Sequence, residues 1–459
     1  MTINNMKTRR DFLRVGIKTL TAATAVGAIG KFSTINAWAA PGPYQALVCV
    51  YLSGGNDSHN MVVPITTAQQ NYSAYAASRQ GLAIAQGSLL PISAKTDTYG
   101  LHPNMPEVQA LYTAGHAAIL ANVGMLVIPL FDKTAYNQFP AGSPSLPVNL
   151  FSHSDQTSQW QTAQANGLGS TGWGGRLADA VQSSYNSGGQ YPSVVNDGGC
   201  GPFCTGAQTL PGVVPSQGPA GLNGVGSDIA RQQGMQQLLT FDNGLQLVQA
   251  ANSIANRGIS QGALLNTLLA AAPPLQTVFP AGNPLADQMK MAARIIGVHS
   301  QLSLGRQIFF CSLGGFDTHG AQAPTQDPLL QQLSQAISAF YNATVELGVA
   351  GAVTAFTASE FGRTVMPNGN GGTDHAWGSH HLVVGGGVVG GNLYGNYPLL
   401  SLGNANPLDV TGRGSLIPTT SVDQYAATLA QWFGVAQGSL PSVLPNIGNF
   451  QVQNLGFLG

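Results

Sequence analysis

Charge is what this chain has least of: 17 Lys+Arg and 18 Asp+Glu in 459 residues, or 8% of the total. Its surface must therefore be solvated by Ser, Thr, Asn, Gln and backbone, which suits an extracytoplasmic protein. No apolar run offers a stable bilayer span, since the stretch from Thr19 to Ile29 is too short for one. Cysteine is scarce as well, with four residues and no zinc-finger spacing. Nucleic acid and anionic membranes are excluded as main partners once the N-terminus is considered.

That N-terminus reads Thr8-Arg9-Arg10-Asp11-Phe12-Leu13-Arg14, then the apolar stretch, then Ala37-Trp38-Ala39. Paired arginines, a short apolar region and an A-x-A site in this order are a twin-arginine export signal over residues 1–39. The twin-arginine translocase is the expected partner during export, and the mature chain starts near Ala40 in the periplasm or outside the cell. Removing Lys7, Arg9, Arg10, Arg14, Lys18, Lys31 and Asp11 leaves 11 of 17 basic and 17 of 18 acidic residues, a net charge of −6. Export of an already folded chain is compatible with a metal inserted beforehand.

Cys200 and Cys204 flank Gly201-Pro202-Phe203 in a Gly-rich loop, and an oxidising compartment favours a local disulfide there. Cys49 and Cys311 lie in apolar runs and are expected as buried thiols. Runs rich in β-branched or aromatic residues predict buried strands at Ala46–Leu52, Ala117–Asn122, Gln307–Leu313, Ala352–Thr357 and His381–Val384. Helical periodicity covers Met105–Thr113, Leu285–Ser303, Pro328–Leu347 and Val422–Phe433. Such alternation implies an α/β fold, with a mainly parallel central sheet and helices on both faces. The mature chain 40–459 is expected to form one such domain. Its segment 143–284, richer in Gly, Gln, Asn and Pro, is read as a helical and loop insertion or lid.

Polar motifs begin where these strands stop, the edge at which open α/β sheets bind ligands. They are Ser53-Gly54-Gly55-Asn56-Asp57-Ser58, Gly314-Gly315-Phe316-Asp317-Thr318-His319, Ser359-Glu360-Phe361-Gly362-Arg363-Thr364 and Gly372-Thr373-Asp374-His375-Ala376-Trp377-Gly378-Ser379-His380-His381. Four of the nine histidines fall between 319 and 381. Carboxylates and imidazoles are ligands that Zn²⁺ and Mn²⁺ prefer, so this density points to a metal centre rather than a hydrogen-bonded polar cluster. His380 and His381, adjacent at a strand start, would face opposite sides, which leaves room for one as a ligand. His59, His102 and His153 are lone histidines near loops, expected in structural or outer-sphere roles.

The order of twin-arginine signal, Leu52-Ser-Gly-Gly-Asn-Asp-Ser-His-Asn-Met-Val-Val-Pro64, His102-Pro103, Gly314 to His319, Ser359 to Thr364, Gly372 to His375 and Gly385-Gly386 through Tyr394-Gly395 resembles the exported bacterial family called domain of unknown function 1501. That family is similar to the alkaline phosphatase and sulfatase superfamily. The resemblance implies two divalent ions, Zn²⁺ or Mn²⁺ with Ca²⁺ as the alternative. It implies Asp57 as the first-strand ligand, Asp317 with His319 as a second group, Asp374 with His375 as a pair, and His380 or His381 as the last ligand. Asp317 and His319 are two residues apart, where the best-known phosphatases space these ligands by one helical turn.

Two ions roughly 4 Å apart could hold the attacking and leaving oxygens of a phosphate or sulfate ester, whether small or polymer-borne. Ser152, in Phe151-Ser152-His153-Ser154-Asp155 at the start of a helical pattern, is the candidate nucleophile; the same residues also fit a capping box. Ser58 is a second candidate, with a turn role as its alternative. Arg363 could take a substrate oxyanion or pair with Glu360. The expectation is thus a metal-dependent ester hydrolase. Its competitor is a non-catalytic exported protein that binds a carbohydrate, a surface polymer or a partner protein on the same fold.

Overall fold

A computed structural model describes residues 43–459 except 141, 166–168, 222–227 and 242–243. The export-signal reading therefore falls outside the described residues. The central sheet is built from β1 (Gln45–Ser53), β5 (Ala117–Gly124), β6 (Val194–Asn196), β7 (Gly212–Val213), β8 (Arg306–Gly314), β9 (Val353–Ala358), β10 (Ser379–Gly385), β11 (Leu393–Tyr394) and β12 (Thr420–Ser421). Its order is β11-β5-β10-β9-β1-β8-β6-β7, with β12 also on β5. A separate small sheet pairs β2 (Val62–Thr66), β4 (Asp97–Leu101) and β3 (Leu90–Ala94) in antiparallel fashion.

β1 lies between β8 and β9 and runs parallel to both. Alternation along it divides the core. Ala46, Val48, Val50 and Leu52 pack with the helices Pro106–Thr113, Pro284–Gly297 and Gln322–Glu346. Leu47, Cys49 and Tyr51 face the helices Trp173–Tyr185 and Val422–Trp432 on the other side. Both faces are covered, so the continuous apolar character of β1 follows from its central place.

One strand breaks the parallel pattern. β10 is antiparallel to both β9 and β5. Its first residues therefore lie at the edge where β1, β8 and β9 end, which carries the Gly372–His375 loop to the same edge. The 143–284 segment joins the central sheet through β6 and β7 and otherwise supplies helices, including His153–Thr162 and Gln246–Ala271. Cys200 and Cys204 are disulfide-bonded, and Cys49 and Cys311 are buried free thiols. No helix among the described residues is long and apolar enough to cross a membrane.

Candidate metal centre

Three imidazoles converge on one carboxylate at that sheet edge. The Nε2 atoms of His153, His319 and His375 lie 3.4, 3.1 and 3.2 Å from Asp317 Oδ1. Each ring turns its other nitrogen to an acceptor: His153 Nδ1 to Glu360 Oε1 at 2.9 Å, His375 Nδ1 to the Phe151 carbonyl at 2.7 Å, and His319 Nδ1 to Asp374 Oδ1 at 3.4 Å. These partners accept, so each ring can hold its proton on Nδ1 and turn an Nε2 lone pair toward a cation.

That arrangement fits a cation. His319 Nε2 and His375 Nε2 are 2.9 Å apart, and His153 Nε2 is buried without a hydrogen-bond partner. With their protons on Nδ1 the two lone pairs would face each other, an arrangement that a positive centre among them relieves. His153, Asp317 and His375 form the group of residues whose ligand atoms all come within 4.8 Å of one another, while His319 lies outside that group and reaches Asp317 and His375. Burial, together with the nearby charges of His153 and Arg363, lowers the His375 pKa against the opposing pull of Phe151 and Asp317, which keeps the ring neutral and able to ligate.

Local backbone explains the convergence. Phe151 has φ 73, a left-handed conformation costly for an aromatic residue, and this aims its carbonyl at His375. Gly54 has φ +118, and a Cβ there would come within 2.4 Å of the Asp317 nitrogen, so the loop after β1 can pass the loop after β8 only as glycine. Residues 362–364 and 374–377 pair as a short antiparallel ladder, with Gly362 N donating to the Trp377 carbonyl at 3.0 Å and Thr364 N to that of Asp374 at 3.0 Å. This ladder sets His375 beside Arg363.

Arg363 is fully buried, and its three nitrogens are all engaged, with the carbonyls of Gly55 (3.0 Å), Thr373 (2.6 Å) and Gly54 (2.8 Å) and with the Asp317 carboxylate. The guanidinium orients Asp317, is closed to a substrate oxyanion, and does not pair with Glu360, which holds His153 and the Gly54 N–H. Burial raises the Asp317 pKa, but the hydrogen bond and charge of Arg363, with His375 and His319, outweigh it and keep the group an anion. Asp374 turns to the rim, where it accepts from Asn368 at 3.1 Å and pairs with Arg413 at 2.8 Å. Against the effect of burial, these contacts lower its pKa too. Arg413, with a side chain 42% exposed, is the solvent-facing cation of this rim.

The other residues expected from sequence do not join the ligands around Asp317. Asp57 is buried in an ion pair with Arg79 and also accepts from Gln322 and from the His59 N–H, so its carboxylate is not among the ligands gathered around Asp317. His380 accepts the Asn122 N–H at its Nδ1 and stacks on Tyr397, whereas His381 stacks on Tyr425 across the sheet. Burial lowers both pKa values, that of His381 to about 3, so these are neutral core histidines on opposite faces. Ser152 caps the helix position, but its hydroxyl donates to Asp155 Oδ2 at 2.6 Å instead of accepting a backbone N–H. Ser58 is fully buried in the turn after Asp57. His153 and Arg413 were not singled out as site residues by sequence; the helix start at Ser152 was the one signal near His153.

An α/β chain with a histidine–aspartate centre at the carboxyl edge of its sheet is the class this geometry defines. The chain belongs to the DUF1501 family, described as a protein of unknown function, whose pattern matches residues 44–412. No curated protein matches the sequence. Among solved structures, the chain is similar to the lipoteichoic acid synthase LtaP from Listeria monocytogenes, with 7% identity, coverage of 82% of this chain and 76% of that one, and a TM-score of 0.32. It is similar to the PsFucS1 sulfatase from Pseudoalteromonas sp., with 13% identity, 90% and 72% coverage, and a TM-score of 0.32. A protein in the alkaline phosphatase superfamily from Vibrio parahaemolyticus gives 10% identity, 86% and 67% coverage, and a TM-score of 0.33.

Proposed function

We propose that this chain is an exported, metal-dependent hydrolase of a phosphate or sulfate ester, with a single divalent ion held by His153, His319, His375 and Asp317. The observation that carries the reading is the convergence of three Nε2 atoms, each with its Nδ1 fixed, on one carboxylate oxygen. Three nitrogens and one oxygen suit Zn²⁺ best, with Mn²⁺ next and Ca²⁺ least. Among the described residues a second ion has no comparable donor set, because Asp57 is paired with Arg79 and Asp374 with Arg413.

When bound, the ion supplies Lewis-acid charge that offsets a developing oxyanion and acidifies an attacking hydroxyl. The chain's own residues supply the rest. Arg363 holds Asp317 in place, and Glu360 holds the His153 ring. Arg413, paired with Asp374 and bonded to the Pro367 carbonyl, keeps an exposed edge of its guanidinium for the ester's anionic oxygens. Ser152 stands at the N-terminal, partly positive end of the His153–Thr162 helix, its hydroxyl proton directed at Asp155; this supports it as the nucleophile.

Metal-loaded protein is expected to hydrolyse an aryl phosphate or aryl sulfate. That activity should be lost in Ser152→Ala with the fold and metal retained. Absence of turnover on both ester classes at full metal occupancy would overturn the hydrolase reading in favour of a non-catalytic binding protein.

A further inference from the structure

A cavity of 360 Å³ opens beside the centre, walled by the His153–Thr162 helix, the ends of β1 and β8, and the disulfide-bonded loop at Gly201 and Pro202. Among the described residues, no charged side chain lines it. Hydroxyl-bearing residues recur along its wall: Tyr51, Ser53, Ser154, Thr157, Ser158 and Ser312 line it. Two of them are joined, Tyr51 donating to Thr157 at 3.2 Å, and Tyr51 stacks on Phe310 with ring centroids 5.8 Å apart.

The cavity is coupled to the centre by the helix. Thr157 follows His153 by four residues, so the two share one helix face. Ser53 directly precedes Gly54, whose N–H donates to the same Glu360 oxygen that holds His153, at 2.9 Å. A group bound at Thr157 therefore lies along the helix from the ion site.

We propose that this cavity binds a neutral, polyhydroxylated group, a sugar ring, on the alcohol side of the ester; this rests on the hydrolase reading above. Each hydroxyl of the lining both donates and accepts, which matches the hydroxyls of a sugar in any rotamer. A charged group entering the same space would lose its hydration with no opposite charge to meet it. The volume lies within the range of small-ligand pockets.

The test is calorimetric titration of the metal-loaded full-length protein with methyl glucoside, methyl galactoside and, as the charged comparison, glucuronate. Saturable binding of a neutral glycoside at millimolar concentration is expected, with glucuronate weaker by about tenfold. Thr157→Phe should weaken the glycoside by about tenfold while metal content stays the same. Thr157→Val, which keeps the shape and removes the hydroxyl, should weaken it less and serves where the larger side chain disturbs folding. No binding of either glycoside, equal binding of glucuronate, or indifference to both variants would overturn the sugar site. Glycoside binding without any ester turnover would leave this site standing and sink the hydrolase reading; turnover of aryl esters without glycoside binding would do the reverse.

Discussion

At the scale of the residue, the site is built from what surrounds each ring rather than from the rings alone. Glu360 is buried, accepts from both Gly54 and His153, and so fixes the imidazole that sequence pattern left among the lone histidines. Glu360→Gln is expected to weaken metal affinity by about 10–100-fold with the ligands untouched, as loss of an outer-sphere partner does; unchanged affinity in a competition titration would deny the coupling. Away from the site, burial pushes the Asp423 carboxyl up from 3.8 to about 7, against hydrogen bonds from Asn446 and the charge of Arg176. The folded chain then holds this proton at a pH where the unfolded chain has released it. Asp423 therefore contributes its full stability below pH 3.8 and loses it as pH rises toward 7. Asp423→Asn should flatten that part of the melting-temperature profile, and an unaltered slope would show that the carboxyl titrates normally.

At the scale of the element, the loops after β1, β8 and β9 cross so closely that one glycine governs the edge. Gly54→Ala places a Cβ 2.4 Å from the Asp317 nitrogen on a backbone at φ +118. A destabilisation of about 1–3 kcal/mol is expected, together with weaker metal binding; denaturant unfolding with no change in midpoint would contradict it. The Cys200–Cys204 bridge closes a loop with a sequence separation of 4, so its reduction should remove about 2 kcal/mol by loop-closure entropy. The same denaturation read with and without reductant measures this. Strands β1, β5, β8, β9 and β10 were legible in the sequence because each is a continuous apolar run buried on both faces. The small sheet was not, since Pro64 and Gly100 interrupt its short strands, nor was β7 of the central sheet, which has two residues. Nor was the reversed direction of β10, because direction is decided by which neighbours a strand meets.

At the scale of the whole molecule, the sequence placed the acidic motifs at one sheet edge by their position after strands, and Asp317, His319, Asp374 and His375 do meet there. What it could not show is which groups compete for each carboxylate. Arg79 takes Asp57 from 22 residues away and Arg363 spends its donors on carbonyls, both consequences of packing that no spacing encodes. Likewise His153 arrives from a segment 164 residues before Asp317 in the chain. A centre drawn from such distant segments, 153, 317–319 and 375, should tie folding to metal occupancy. Chelation is expected to lower the melting temperature, by the mass-action stabilisation of about 2.7 kcal/mol at a hundredfold excess over Kd.

The most direct measurement is metal per chain by elemental analysis of protein purified without chelator, beside His153→Ala, Asp317→Ala and His381→Phe. The account predicts one ion per chain, lost in the first two variants and kept in the third. An empty wild-type protein, or an ion retained in both His153→Ala and Asp317→Ala, would contradict it.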